Sequence, residues 1–299
     1  DVETSRKGQQ TEVRENQQTQ HGYVDPAQTP EQDRCGILKN MALTCRVTTY
    51  TSDGYIKQYL SNGFVHTKRD EEFNSICLVN GVYIGFCNGA DTVKALREIR
   101  RGQVDIAGNI SAYQNMSIVL DNYNTLQIST DSMRLTRPLL ILDDDENLLI
   151  VKKHLVGKPF DVLLAAGVVE YIDPSEQEMH VKVAPDSSAV SVAKSVLSTT
   201  KQKVKEARRK YKQSSLPSDL SSLNKLESFL RRLENRDKFT HCEIDPSSLL
   251  GVAVSVMPYP GHSHPPRLGF EAQMAKQAMC GCPALSHLYS FLGKYKVLA

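Results

Sequence analysis

Apolar and polar positions alternate in short blocks from Gly36 onward, after a polar, Gln-rich stretch with no period of either kind. Residues 1–20 are therefore expected to be loop or disorder. "GILKNMALTCRVTTY" (36–50) predicts buried and then half-buried extended chain. In "SICLVNGVYIGFC" (75–87), Asn80-Gly81 separates two apolar runs. Both residues tolerate the positive φ of a type I′ turn, so a two-residue hairpin is expected. "ADTVKALREIRRG" (90–102) predicts a helix with Val93, Leu96 and Ile99 on one face and Gly102 as its stop. "MSIVLDNYNTLQIST" (116–130) predicts a second hairpin, and "RPLLILDDDENLLIVKK" (137–153) a third around an acidic turn. "KPFDVLLAAG" (158–167) reads as a helix, and "VVEYIDPSEQEMHVKVA" (168–184) as strands around another acidic turn.

Residues 185–238 change character. Positions 201–212 carry seven Lys or Arg and one Glu. Leu223, Leu226, Phe229, Leu230 and Leu233 follow at helical spacing, with Ser222 as a candidate cap. The segment reads as a helical insertion whose basic face is solvated or touches phosphate or a partner. Residues 239–260 again resemble core strand. "HSHPPRLGFEAQMAKQAM" (262–279) then sets Pro265 and Pro266 as a stiff mount before Arg267. The helix former from Phe270 to Gln277 places Gln273, Lys276 and Gln277 on one side. A guanidinium fork followed by Lys and Gln suits a polyphosphate and a sugar–phosphate backbone, although a surface helix has the same pattern. The pattern gives an α+β fold class, with mixed short β-hairpins and helices and a helical basic insertion.

Composition narrows this. The 299 residues suffice for one large or two ordinary domains. Apolar residues make up 40%, mean hydropathy is −0.36, and the net charge is +2. Global charge thus points to neither nucleic acid nor membrane, and any such role must be local. No apolar run approaches the roughly 18 residues of a membrane span. Seven scattered cysteines suggest a reduced, intracellular chain with packed thiols. Cys280 and Cys282 with His287 are the one ligand-like cluster and lack a fourth ligand, so no metal is assigned to this chain. His241, Cys242 and Glu243 alternate along an apolar strand and read as structure rather than as a nucleophile or metal site. The run 143–146, "DDDE", reads as a solvated turn. No P-loop, dinucleotide-binding glycine pattern, G-x-S-x-G or H-E-x-x-H is present. The chain therefore holds no self-sufficient active site.

Four segments resemble, in order, the second-largest (β-type) subunit of multisubunit DNA-directed RNA polymerases. "TQHGYVDPAQTPEQDRCGILKNMAL" (19–43) is similar to that family's fork region, and residues 96–146 to its external region. "LLAAGVVEYIDPSEQE" (163–178) and "FTHCEIDPSSLLGVAVSVMPYPGHSHPPRLGFEAQMAKQAM" (239–279) resemble its L-L-x-x-G-x-V-E-Y-I-D and T-H-C-E-I through P-R to K-Q-A-M wording. The wording resembles eukaryotic, archaeal or large-DNA-virus enzymes more than bacterial ones.

The resemblance implies a layout of 21–62 fork-like, 63–184 external, 185–238 insertion, 239–279 start of the hybrid-binding region and 280–299 divergent tail. It also implies that Arg267 contacts the triphosphate of the incoming nucleotide, with Phe270 three positions on where the family has Tyr. Lys276 and Gln277 would lie beside the RNA 3′ end and the RNA–DNA hybrid, and Pro30 and Glu31 in the fork at the downstream edge of the active centre. Expected partners are the largest subunit and other polymerase subunits, template DNA, nascent RNA and nucleoside triphosphates, with no membrane. Mg2+ is expected to be held mainly by the largest subunit. The implied location is the nucleus in a eukaryote, otherwise the cytoplasm or a viral factory or virion. This sequence departs from the family wording at Gln32, Ser263-His264-Pro265, Leu268-Gly269, Ala275 and Cys280. The family's protrusion and lobe are expected before residue 1, and further hybrid-binding, wall and clamp regions after the tail. The chain is thus expected to be an internal piece, inactive alone, of a nucleotidyltransferase. The alternative is a truncated copy serving as a non-catalytic nucleic-acid or protein binding module.

Overall fold

A computed structural model describes residues 12–30, 34–102, 113–150, 159–214, 217–236, 238–255 and 257–277. Two mixed sheets and their helices give an α+β fold.

The first sheet grows from the Asn80-Gly81 turn. Strands β3 (Ser75–Val79) and β4 (Val82–Cys87) pair antiparallel with Val79 opposite Val82, so the loop has two residues. Asn80 and Gly81 have φ of 50° and 79°, as a type I′ turn demands. The second predicted hairpin is also present, as β5 (Ser117–Leu120) against β6 (Thr125–Ser129). Strand β6 runs parallel to β3, while β2 (Val65–His66) borders β4. Helices α1 (Gly54–Ser61) and α2 (Gly89–Arg100) cover this sheet. Val93, Leu96 and Ile99 of α2 are buried with Cys77, Val79, Ile118 and Leu126, and Gly102 follows the helix at φ 71°.

The second sheet centres on β7 (Leu135–Ile141). It pairs with β1 (Arg46–Val47), β8 (Val169–Ile172) and β10 (His241–Cys242), and β10 pairs with β9 (Val183–Ala184). The expected third hairpin shrinks to a bridge between Leu142 and Leu148, because β7 spends its edges on strands distant in sequence. Residues 151–153 of that expectation lie outside the described residues. The acidic turn is not wholly solvated. Glu146 is buried, accepting from Arg236 Nη2 at 2.7 Å and from the Phe239 N–H at 2.9 Å.

Helix α3 (Phe160–Ala165) forms as expected. The acidic turn predicted within 168–184 is instead helix α4 (Pro174–His180). Asp173 caps it by accepting from the Glu176 N–H at 2.8 Å, and Pro174 stands at the first helical position, where no N–H is needed. Residues 36–43 are not buried strand, since Ile37, Leu38 and Met41 are exposed. The described residues of 239–260 form β10, a 3-10 turn at Pro246–Leu249, α7 (Val252–Ser255) and the start of a second 3-10 turn at Pro260–His262, rather than a long core strand. Asp245 and Pro246 turn the chain off the sheet after two strand residues.

The basic segment is a helical hairpin of α5 (Ser187–Ser214) and α6 (Pro217–Glu234). Val204 and Leu223 are buried, whereas Phe229 stands 47% exposed, off the expected apolar face. Helix α6 begins at Pro217, so Ser222 is internal to it rather than its cap.

A charged core joins the two sheets. Arg100 of α2 donates to Glu176 at 2.7 and 2.9 Å, to Glu170 of β8 at 3.0 Å and to the Met116 carbonyl at 3.1 Å. Arg101 adds a 2.9 Å pair with Glu170, whose Oε1 lies 2.6 Å from His241 Nε2. Burial pushes the Glu170 carboxyl up, but Arg100, His241 and Arg101 outweigh it and hold it well below the usual carboxylate range.

Candidate functional site

Helix α8 (Pro265–Gln277) carries most of the residues singled out in the sequence. It starts five residues earlier than the pattern suggests. Pro265 and Pro266 are its first residues rather than a corner before it, because the first helical N–H groups have no intrahelical acceptor for proline to forfeit. Arg267 is thereby a helical residue, its N–H donating to the His264 carbonyl at 2.8 Å. Its side chain is 61% exposed, and Nε donates to Glu271 one turn on, at 3.0 Å. Phe270 is half exposed. Lys276 and Gln277 close the helix, and their side chains lie outside the described residues.

The fork-like segment docks against the chain leading into α8. The Leu43 N–H donates to the Leu250 carbonyl at 2.8 Å, and the Gly251 N–H to Asp25 Oδ2 at 2.8 Å. A Cβ on Gly251 would stand 2.6 Å from that carboxylate oxygen and 2.9 Å from Gln28 Oε1, so only glycine permits this approach. The Asp25 N–H donates to Asn40 O at 2.9 Å, and Asn40 Nδ2 to Gln28 O at 3.0 Å, which folds the segment back on itself.

The docking forms two clefts. In the smaller, about 440 Å3, Pro30 and Thr29 face Pro266, Leu268 and Phe270. The larger, about 1000 Å3, is mainly apolar and runs between Met41, Leu43, Val252, Met257 and Met274. Pro30 and Phe270, 240 positions apart, thus line one cleft, while the Arg267 side chain is directed to Glu271, which lines the larger one. Glu31 lies outside the described residues. The roles of Asp25 and Gly251 escape a reading by residue type, since a lone Asp and a lone Gly carry no periodic signal.

The other candidates are structural. His241 binds Glu170, and Glu243 pairs with Arg137 at 2.5 Å; Arg137 also lies 5.4 Å from the Tyr23 ring centroid. Burial, then the Asp186 and Glu243 charges, pushes the Cys242 thiol up to about 11, unlike a nucleophile. Among the described residues no group of three or more His, Cys, Asp or Glu is placed to hold a metal ion. Cys280, Cys282 and His287 lie outside the described residues. No described helix is long and apolar enough to cross a membrane.

Comparison with known proteins shows what the chain is similar to. Family models for RNA polymerase Rpb2 domains 3, 4 and 5 match residues 2–47, 77–143 and 160–246 in turn. The DNA-directed RNA polymerase II subunit RPB2 of Meyerozyma guilliermondii is 30% identical over 92% of this chain and 24% of its own length. The DNA-directed RNA polymerase II subunit 2 of Arabidopsis thaliana is 29% identical over 92% of this chain and 21% of its length. The archaeal DNA-directed RNA polymerase subunit Rpo2 of Saccharolobus shibatae is 28% identical over 90% and 21%. The chain thus spans under a quarter of the length of these relatives. With three successive domain models matched in order over residues 2–47, 77–143 and 160–246, the chain belongs with domains 3 to 5 of the second subunits of DNA-directed RNA polymerases.

Proposed function

We propose that this chain works within a DNA-directed RNA polymerase, where α8 and the fork-like segment help hold the incoming nucleoside triphosphate and the RNA–DNA hybrid. The observation that carries the reading is the shared cleft of Pro30 and Phe270, together with an exposed Arg267 one turn before Phe270 on the same helix. Arg267 is tied to Glu271 by a single exposed ion pair, worth about 0.3–0.5 kcal/mol in such i,i+4 pairs. A triphosphate offers a doubly accepting, more highly charged partner, so exchanging Glu271 for phosphate costs little. Lys276 and Gln277, at the far end of the same helix, are assigned to the RNA 3′ end, and Glu31 to the fork with Pro30.

The role is binding and positioning. Phosphoryl and nucleotidyl transfer depend on alignment and charge neutralisation more than on covalent help. Magnesium, assigned to the largest subunit, would clamp the reacting oxygens. Template DNA, nascent RNA and the largest subunit are the partners this reading requires.

The test is Arg267→Ala in an assembled polymerase, with nucleotide addition followed against nucleotide concentration. A hydrogen bond to a charged group is worth about 1.5–3 kcal/mol, so the apparent nucleotide requirement should rise about 10- to 100-fold. Unchanged elongation at limiting nucleotide would remove Arg267 from the site.

A further inference from the structure

The α5–α6 hairpin concentrates charge that the chain as a whole lacks. Residues 187–234 hold eleven Lys and Arg against four Asp and Glu, a net of +7; with +2 for the whole chain, the remainder sums to −5. At 100° per residue, Lys194, Lys201, Lys205 and Arg208 fall within about 60° of one another, in a row about 21 Å long. Arg209 extends the row on its solvent side.

Three observations separate this row from an ordinary solvated face. First, acidic neighbours reach only part of it. Lys201 pairs with Glu234 at 3.2 Å and Arg208 with Glu227 at 2.8 Å, while Lys205 and Arg209 on α5 and Arg231 on α6 are exposed and make no side-chain ion pair or hydrogen bond among the described residues. Second, the hairpin is rooted. Val190 is buried with Leu142, Ala184 and Cys242, Lys194 donates to Asn147 at 2.7 Å, and Arg236 beyond α6 pairs with Glu146. Third, the row carries no aromatic or large apolar residue.

The last point selects the partner. Protein interfaces gather their energy in buried aromatic and apolar anchors. Single-stranded nucleic acid is held by aromatic platforms on which bases stack. A rigid row of cations with neither feature matches a rigid row of phosphates, and a duplex presents one charge per roughly 1.7 Å of axis. We propose that the α5–α6 hairpin is a binding arm for the phosphate backbone of double-stranded DNA, without base specificity. This goes beyond the reading of α8 and requires neither nucleotide nor a second subunit, so the two fail independently.

The experiment titrates the full chain onto a labelled duplex of about 20 base pairs and follows anisotropy between about 50 and 200 mM salt. Affinity should fall steeply with salt. In the Lys205→Gln, Arg209→Gln, Arg231→Gln triple variant, the slope of log affinity against log salt should shrink by about 0.9 for each phosphate no longer neutralised, and binding should weaken at least tenfold at the low-salt end. Lys205→Arg, which keeps the charge, should bind as the native chain does. Equal affinity and slope for the native and neutralised chains would overturn the proposal. So would binding of polyglutamate, or of a single strand of equal length, as tight as that of the duplex.

Discussion

His180, at the end of α4, accepts the Leu120 N–H on Nε2 at 2.8 Å. Burial first, and the Arg97 charge second, hold its imidazole below the ordinary histidine range. The folded chain therefore keeps the ring neutral, while the unfolded chain takes up a proton as pH falls through about 6.5. The stabilisation from neutral His180 is complete above that pH and is lost below it. We expect the melting temperature to drop by a few degrees between pH 7.5 and 5.5. His180→Gln, which retains an acceptor, should flatten that slope in a thermal titration, and an equal slope in the variant would remove His180 as its source. Residues differ in how openly their sequence states their role. Asn80 and Gly81 were legible because the turn they make demands a positive φ that few residues supply. Glu170 and Glu176 were not. Their partner Arg100 is 70 and 76 positions away, and an apolar pattern says nothing about which carboxylate a buried guanidinium meets.

At the scale of elements, that guanidinium fastens α2 to α4 and β8. Removing one member of a buried ion pair leaves the other charged and unpartnered, at about 3–5 kcal/mol. Arg100→Leu should cost stability in that range in urea unfolding, and a loss below about 1 kcal/mol would mean that the charged core contributes little. Helix α4 offers a second check, since Asp173 both caps it and lies 3.4 Å from Arg134. Asp173→Ala should cost about 1 kcal/mol or somewhat more. This helix was the clearest misreading among the elements. Asp173-Pro174-Ser175-Glu176 is a helix start, yet the apolar residues on either side alternate like strands, and seven residues are too few for helical periodicity to show. In α2 and α6, at 12 and 18 residues, the period had room to declare itself. Helix α8 was legible in its second half and misread in its first, because two prolines look like a stop until they are recognised as a first turn.

For the molecule as a whole, the α+β class followed from hairpin and helix patterns, whereas the assembly of β1, β7, β8, β9 and β10 into one sheet did not. Those strands come from positions between 46 and 242, and several are two residues long, too short to leave a pattern. The proposed site has the same character. Its fork side and its α8 side are held together by Asp25 to Gly251 and Leu43 to Leu250, pairings that no local window contains. Half of a site needs its other half, which under the proposed function belongs to the largest polymerase subunit. The most direct measurement is therefore purification of the natural gene product, tagged, from its own cells, followed by mass spectrometry of what elutes with it and a templated RNA-synthesis assay. If the proposed function holds, a largest-subunit partner elutes in near-equal amount as a stable complex, with RNA synthesis that depends on template. A product that elutes free of any largest subunit, without such synthesis, would contradict it.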